Sequence, residues 1–321
     1  MPIPTRRGFI STALSATASV AAFGSQTAFA SALPGQRKFT LDLSPGAIGV
    51  RASQLESIEY ASKHGFESVL ANPGYLATLD DAGRKALREK MEVSNVVWGA
   101  AGLPVDFRKG EDVFKAGLKT FPEQCKAMQQ AGVTRVSTWL RPNSDSLTYV
   151  ANFRQHARRL RECVKIMADH GQRFGMEYVG PKTLWASARY SFIHSMAETK
   201  ELIAEIGLNN VGLVLDSWHW YTAGETVEDL KTLSNSDIVA CDLNDAPANI
   251  PVDEQIDNKR LLPATSGVID LKAFLGALVE IGYDGPVRAE PFNAELNALD
   301  NDPACAATVK AMKKAFSMVG G

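Results

Sequence analysis

The segment VGLVLDSWH, residues 211–219, decides how this chain is interpreted. Its first five residues are apolar and predict a short β-strand over 211–215. Asp216 then ends the apolar run, and His219 follows three residues later. A carboxylate at the end of an apolar strand is costly unless it is paired or binds a metal ion. The segment therefore predicts a strand that carries Asp216 into a polar site.

The same pattern recurs along the chain, because short β-rich segments alternate with amphipathic helical segments. Strands are predicted at 39–43, 68–71, 96–100, 135–140, 174–179, 211–215, 238–243 and 287–289. Helices are predicted at 53–63, 81–92, 112–130, 147–170, 191–206, 227–233, 271–281 and 303–318. Strands that alternate with helices form a parallel sheet with the helices outside it. Eight such units close into a (β/α)₈ barrel.

The main rival is an open, doubly wound α/β sheet. No G-x-G-x-x-G follows the first predicted strand, which argues against the dinucleotide-binding form of that rival. Beyond residue 37 the sequence shows no linker, low-complexity stretch or internal repeat. We therefore expect a single α/β domain, a TIM barrel that occupies residues 31–321.

The first thirty residues have the composition of an export signal. Residues 1–30 contain no Asp or Glu, and their basic residues are the adjacent Arg6 and Arg7. A mildly apolar stretch at 11–23 is too short and too polar to span a bilayer. Ala28-Phe29-Ala30 then matches a small-x-small cleavage site. The pattern resembles a twin-arginine signal and predicts a periplasmic protein without a stable membrane anchor. A generic secretory signal or a short anchor is the alternative.

Charge and cysteine content exclude several classes of protein. The 34 basic and 36 acidic residues give a net charge of −2, and no long basic run occurs, so we expect no nucleic-acid partner. A hydrophobic content of 45% excludes a disordered chain. The four cysteines are far apart in the sequence and form no zinc motif, so we expect isolated buried thiols.

Acidic residues follow the last four predicted strands. Glu177, Asp216, Asp242 and Glu290 lie at or just after the carboxyl ends of these strands. The carboxyl ends of barrel strands meet at one face, where four anions would repel one another unless a cation lies between them. Oxygen ligands favour Mg²⁺ or Mn²⁺. The sequence therefore predicts one divalent metal site, whereas any one of these residues alone is equally explained as an ion pair or a helix cap.

Other polar and aromatic residues are predicted to surround this site. His219, expected on the loop after the sixth strand, is a candidate catalytic residue that would bond a substrate hydroxyl or orient a carboxylate. Arg141, Lys182, Arg260 and Trp218 lie near strand ends and are candidate substrate-binding residues. For the charged residues a solvated surface position is the alternative. For Trp218 the alternative is packing over the barrel.

At these residues the chain resembles the xylose isomerase-like TIM barrels, the sugar isomerase and epimerase group. The resemblance rests on Glu177, the 216–219 segment and the Asp-Leu-Asn-Asp-Ala-Pro of 242–247. It also rests on Gly-Tyr-Asp-Gly-Pro at 282–286, which leads to Glu290-Pro291, and on the stretch 260–270. The resemblance covers nearly all of residues 38–318. The combination is specific for the superfamily and carries little information about the substrate.

The resemblance implies roles for the four carboxylates. In ketose 3-epimerases the glutamates of strands 5 and 8 bind metal and also transfer protons, and these positions match Glu177 and Glu290. The aspartate of strand 6 matches Asp216. The fourth ligand of the family is often histidine, and the matching residue here is Asp242. Aspartate offers oxygen ligands, so this departure is conservative for a metal that prefers oxygen. It does, however, weaken the expectation that this chain shares the substrate of any one member of the family.

The expected function follows from that chemistry. A divalent cation would acidify the C–H beside a bound carbonyl, and a glutamate would remove that proton to give an enediolate. Return of the proton to the enediolate would give isomerisation or epimerisation. A keto-sugar or keto-glycoside lyase would share the first step, and a non-catalytic exported sugar-binding protein is the alternative from another class. We expect a small carbohydrate as the substrate, and whether the chain forms a homo-oligomer is left open.

Overall fold

The computed structural model describes residues 36–320, and within them eight parallel strands close into a barrel. The strands are β1 Thr40–Leu43, β2 Ser68–Ala71, β3 Val97–Gly102, β4 Arg135–Trp139, β5 Arg173–Glu177, β6 Val211–Asp216, β7 Ile238–Leu243 and β8 Pro286–Ala289. Their order around the barrel is β1-β8-β7-β6-β5-β4-β3-β2. The predicted (β/α)₈ barrel is confirmed. The predicted export signal lies outside the described residues and stays a prediction.

Helices surround the barrel and connect successive strands. They are α1 Gln54–His64, α2 Pro73–Thr78, α3 Asp81–Val93, α4 Glu111–Ala131, α5 Tyr149–Asp169, α6 Lys182–Trp185, α7 Met196–Ile206, α8 Ser217–Thr222, α9 Val227–Lys231, α10 Leu271–Ile281, α11 Ala294–Asn297 and α12 Asn301–Phe316. The helix starts follow local capping chemistry. Ser53 and Glu56, for example, form a reciprocal capping box at the start of α1. None of the helices within residues 36–320 has the length and hydropathy of a membrane-spanning segment.

Two segments differ from the prediction. The helix predicted at 191–206 begins only at Met196, because Tyr190–Ser191 pairs antiparallel with Asn143–Ser144. The segment after β6 was expected to be a loop, but it forms the helix α8 at once. Its cap is the Asp216 side chain, which accepts a hydrogen bond from the Trp218 amide at 2.8 Å. His219 is therefore a helical residue and not a loop residue.

The hydrophobic core lies mainly between the barrel and the helices. It includes the four cysteines, which are all buried and unpaired, as predicted. The barrel interior is narrow at mid-height, where Ala100, Val214 and Ala240 form a small separate apolar cluster. Val214 and Ala240 each stand two residues before an aspartate, Asp216 and Asp242, so this apolar cluster lies below the carboxyl end of the barrel.

Glycine 175 shows how tight this interior is. A Cβ atom at Gly175 would lie 2.8 Å from the Cβ of Val239 and 3.2 Å from the carbonyl oxygen of Leu213. By contrast, a Cβ at Gly276 in α10 would meet no atom within 4 Å. We therefore expect Gly175→Ala to lower the free energy of unfolding by about 1–3 kcal/mol through overpacking. Gly276→Ala should be neutral or slightly stabilising, because alanine favours the helix. Urea denaturation of both variants tests this, and an unchanged midpoint for Gly175→Ala would contradict it.

Candidate active site

One register row across four strands brings charged side chains together at the carboxyl end of the barrel. Asp42 of β1 is paired in register with Arg288 of β8, Arg288 with Asp242 of β7, and Asp242 with Asp216 of β6. In-register residues of neighbouring parallel strands project from the same face of the sheet. The three aspartates are buried, so this row is a line of charges inside the barrel rather than a surface patch.

Glu177 and Glu290 complete the cluster. Oxygen atoms of Glu177, Asp242 and Glu290 lie within 4.8 Å of one another. Glu177 also forms a second such group with Asp216 and His219. The structure therefore brings the four predicted carboxylates together as two overlapping groups that share Glu177. Ligand oxygens that surround one hard cation at 2.0–2.6 Å have separations of this size.

Arg260 is the main counter-charge of the cluster. Its side chain is 1% exposed, and Nη1 donates to Oδ2 of Asp216 at 2.8 Å and to Oε2 of Glu290 at 3.3 Å. Its Nη2 donates to Oδ1 of Asp257 at 2.8 Å. The guanidinium also lies against the rings of Trp218 and Phe292, with its carbon 5.6 and 4.6 Å from the ring centroids. Arg260 thus lies inside the carboxylate cluster and holds two of its members in place.

Arg288 is a second buried cation that the sequence analysis missed. It donates through Nε and Nη2 to both oxygens of Asp242, and the Nη2 distance is 2.9 Å. Such a bidentate pair fixes the orientation of the carboxylate. The signal was present in the sequence, because Arg288 stands two residues before Glu290 and alternate residues of a strand project from the same face. Asp242 therefore has its own guanidinium partner.

His219 is almost fully buried behind Asp216, with 1% of its side chain exposed. The Gly180 amide donates to its Nδ1 at 3.2 Å. Nε2 lies 3.6 Å from Oδ2 of Asp216 and 3.3 Å from Nη2 of Arg260. Burial, together with the positive charge of Arg260, lowers the pKa of His219 to about 3. A neutral, enclosed imidazole in this place orients the neighbouring side chains of Asp216 and Arg260.

Burial and mutual repulsion raise the pKa values of Glu177, Asp216 and Glu290 and favour their protonated forms. Burial, followed by the charge of Glu290, raises the pKa of Glu177 well above its ordinary value. Burial also raises the pKa of Asp216 to about 8, against the opposing effect of Arg260. The pKa of Glu290 is raised to about 7 by burial and by the charge of Asp242. The cluster therefore carries more negative charge than the two arginines neutralise, and protons or a cation must supply the rest.

The other predicted substrate-binding residues lie outside this cluster. Lys182 is about half exposed and pairs with Asp253 at 2.6 Å on the surface. Arg141 is exposed, and its Nε donates to Oδ1 of Asn143 at 3.1 Å. Trp218 is fully buried beneath Arg260, which corrects its prediction as a substrate-binding residue, because an enclosed ring offers no face to a ligand. A residue's position near a strand end in the sequence does not determine the direction in which its side chain points.

Two polar residues after β7 support the cluster and were not predicted. Asn244 is fully buried, and its Nδ2 donates to Oδ1 of Asp216 at 3.0 Å while its Oδ1 accepts from the Glu290 amide at 3.0 Å. Asp245 is also fully buried and accepts hydrogen bonds from the backbone amides of Ala246, Ser266, Gly267 and Ile269. Asn244 therefore links β6 to β8, and Asp245 anchors the loop that carries Arg260. The sequence feature that could have indicated these two residues is the polar run that directly follows β7.

Comparisons with known proteins agree with this geometry. A family model described as xylose isomerase-like TIM barrel matches residues 58–315. The structure of a xylose isomerase domain protein from Alicyclobacillus acidocaldarius is similar, with 30% sequence identity and a TM-score of 0.77. That similarity covers 88% of this chain and 100% of the other.

Two further relatives are informative. An inosose isomerase of Bacillus subtilis (strain 168) is 31% identical over 163 residues, which are 50% of this chain and 55% of the relative. The chain thus spans about half the length of the curated relatives it matches. The structure of IOLI protein with a binding zinc atom shares the fold, with 22% identity, a TM-score of 0.71, and coverage of 87% of this chain and 98% of the other.

The loop anchor at Asp245 can be tested by mutation. Asp245→Ala would leave several buried backbone amides without an acceptor, so we expect it to lower the free energy of unfolding by at least about 2 kcal/mol. The loop with Arg260 should also become sensitive to limited proteolysis. Asp253→Ala is the matched control, because Asp253 is 60% exposed and forms only a surface ion pair. Equal stability and equal proteolysis of the two variants would show that Asp245 is not the anchor.

Proposed function

We propose that this chain, which belongs to the xylose isomerase-like TIM barrel family, is a divalent-metal-dependent sugar or polyol isomerase or epimerase. The observation that carries the proposal is Glu177, whose buried Oε1 has no hydrogen-bond partner at the centre of the carboxylate cluster. A buried polar atom without a partner needs one from a ligand. The inosose isomerase relatives give the reaction class, although they match only half of this chain.

The residues of the cluster fit a divalent cation. Even if Arg260 and Arg288 each neutralise one of the four carboxylates, two negative charges remain, which equals the charge of such an ion. Glu177, Asp216, Asp242 and Glu290 would hold it, and oxygen donors favour Mn²⁺ or Mg²⁺. Zinc is the ion named for the IOLI structure, so it belongs in the same tests. When bound, the cation would polarise a substrate carbonyl and acidify the neighbouring C–H.

The two glutamates would transfer the proton. Glu177 is 6% exposed, and its unpartnered oxygen is available to accept a proton from the carbon beside the carbonyl. Glu290 comes from β8, and its side chain is 19% exposed, so it reaches the substrate from another direction. Arg260 donates to Glu290 and orients it. Removal of a proton by one carboxylate and return by the other interconverts isomers through an enediolate.

Two alternatives came from the sequence, a keto-glycoside lyase and a non-catalytic sugar-binding protein. The relatives reported above give neither of them support. The products distinguish them, because an isomerase or epimerase returns a saturated isomer whose carbon-bound proton has exchanged with solvent. A lyase gives an unsaturated product, and a binding protein leaves the substrate unchanged.

Exchange of the substrate proton tests the catalytic residues. With inososes and ketohexoses in D₂O and with Mn²⁺, Mg²⁺ or Zn²⁺ supplied, we expect the protein to incorporate deuterium beside the carbonyl. Glu177→Gln and Glu290→Gln should each lower that rate by about 10²–10⁴-fold, because an amide cannot accept the proton. Glu254→Gln, at an exposed position, is the control. Undiminished deuterium uptake in both active-site variants, measured by NMR, would refute these roles.

Metal binding should depend on pH. In the metal-free protein the pKa of Asp216 is raised to about 8, so this group holds a proton near neutral pH, and burial raises the pKa of Glu177 in the same direction. The cation must displace bound protons, so its affinity should weaken as the pH falls from 8 to 6, and binding should release protons. Calorimetry in two buffers of different ionisation enthalpy measures both effects. We also expect bound metal to raise the melting temperature, by mass action.

The matched variants are Glu177→Gln and Glu254→Gln, of which only the first should weaken metal binding. Failure to bind Mn²⁺, Mg²⁺ or Zn²⁺ at any of these pH values would contradict the metal assignment. Equal affinity at pH 6 and pH 8 would contradict the protonation argument alone.

A further inference from the structure

A cavity of about 530 Å³ lies beside the barrel mouth, between the loops that follow β3 and β4 and the first turns of α5. We call it the outer subsite and define it by the lining residues Arg108, Trp139, Arg141, Asn143, Asn152 and His156. It lies at the carboxyl end of the barrel, as the carboxylate cluster does. None of its residues has a role in the chemistry described above.

Trp139 connects the outer subsite to the carboxylate cluster. It is the last residue of β4 and is paired in register with Glu177, so their Cα atoms are neighbours across two hydrogen-bonded strands. Nearly half of Trp139, 45%, is exposed. The guanidinium carbon of Arg108 lies 4.5 Å from its ring centroid and orders the ring. An exposed, ordered indole next to a candidate catalytic residue is a platform for the apolar face of a sugar ring.

The cavity also contains buried polar groups that lack partners. His156 is 3% exposed, and its Nδ1 lies 2.9 Å from the carbonyl oxygen of Asn152, which requires the ring proton on Nδ1. Its Nε2 is then an acceptor, and it has no partner. The rings of Phe107 and Phe192 pack against the imidazole at centroid distances of 5.2 and 4.8 Å, so the acceptor is held in place. A hydroxyl group that enters the cavity would satisfy it.

The two arginines of the outer subsite supply donors. Arg108 is half-buried and forms no salt bridge with a carboxylate among residues 36–320, whereas most buried or half-buried arginines in this range do. The exposed Arg141 also forms none within these residues. Arg108 donates instead to Oγ1 of Thr138 at 2.7 Å, and its Nε is buried without a partner. Fixed donors, a fixed acceptor and an aromatic face together match a ring with several hydroxyl groups, which offers acceptors, donors and an apolar face.

From this geometry we infer that the outer subsite binds the second ring of a glycoside whose reacting ring lies at the carboxylate cluster. The inference rests on the proposed function, and it narrows the substrate class from single sugars to two-ring carbohydrates. The reacting ring lies beside Glu177, the glycosidic bond passes Trp139, and the second ring occupies the cavity. Its hydroxyl groups accept from Arg108 and Arg141 and donate to Nε2 of His156.

Binding measurements test this without requiring turnover. Calorimetry with the metal-loaded protein compares D-glucose with maltose and cellobiose, which place a second glucose ring in two geometries. We expect at least one disaccharide to bind roughly tenfold more tightly than glucose. Trp139→Ala and Arg141→Ala should each lower the ratio of disaccharide affinity to glucose affinity toward one. Val97→Ala is the control, because Val97 is 56% exposed and begins β3 at the opposite end of the barrel.

Each remaining outcome also decides the question. Equal affinity for one and two rings overturns the inference, as does a disaccharide preference that survives both variants. If inorganic sulfate competed with the disaccharide and bound equally tightly, the cavity would be an anion site, and this result would also overturn the inference. Circular dichroism and melting curves show whether a variant is folded. Binding and deuterium exchange are measured separately. A protein that exchanges protons but shows no preference for two rings refutes this inference alone. A protein that prefers two rings but exchanges no protons refutes the proposed function alone.

Discussion

Repulsion among four buried carboxylates is the constraint on which the site depends. Strands β5 to β8 bring these groups to one end of a narrow barrel, where water cannot separate their charges. Two guanidinium groups offset part of the cost, because Arg260 lies between Asp216 and Glu290 while Arg288 holds Asp242. The remaining charge is not matched by protein groups. A site with surplus negative charge in a dry pocket favours a cation or a proton over a neutral ligand.

This constraint explains why the segment after β7 is long and firmly anchored. Arg260 lies on that segment, outside any helix or strand, yet its side chain is fully enclosed. Backbone hydrogen bonds between Asp245 and Leu261, at 2.8 and 2.9 Å, fix the loop next to the barrel. The Asp245 side chain fixes the other end through the amides near Gly267. A mobile Arg260 would leave Asp216 buried without its counter-charge, which costs several kcal/mol.

Much of the fold could be predicted from the sequence, because it depends on local patterns. The strands at Ser68–Ala71 and Ile238–Leu243 are apolar runs, and the structure has the predicted bounds. The positions of the carboxylates along the chain follow from the same runs. The sequence could not show that His219 lies in a buried helix or that Trp218 is enclosed, since both depend on Asp216 serving as a helix cap.

Arg288 and Trp139 were missed for a related reason. Their importance comes from cross-strand register, which a single sequence does not state. Arg288 is opposite both Asp42 and Asp242, and Trp139 is opposite Glu177. Each is an ordinary residue in its own strand, and only the closed barrel makes it a neighbour of the cluster. Side-chain direction and register, rather than residue type, were the missing information.

The register also makes the two sides of the site different from each other. Arg260 lies on the side of Glu290, and Trp139 lies on the side of Glu177, so the two glutamates have unlike surroundings. A carbon between them is approached by an enclosed carboxylate from one side and by an arginine-bound carboxylate from the other. A cavity lies beyond Trp139, where the outer subsite begins. In the two-ring arrangement proposed above, the second ring lies on the Glu177 side of the mouth, and that orientation decides which carbon atoms of the reacting ring face Glu177.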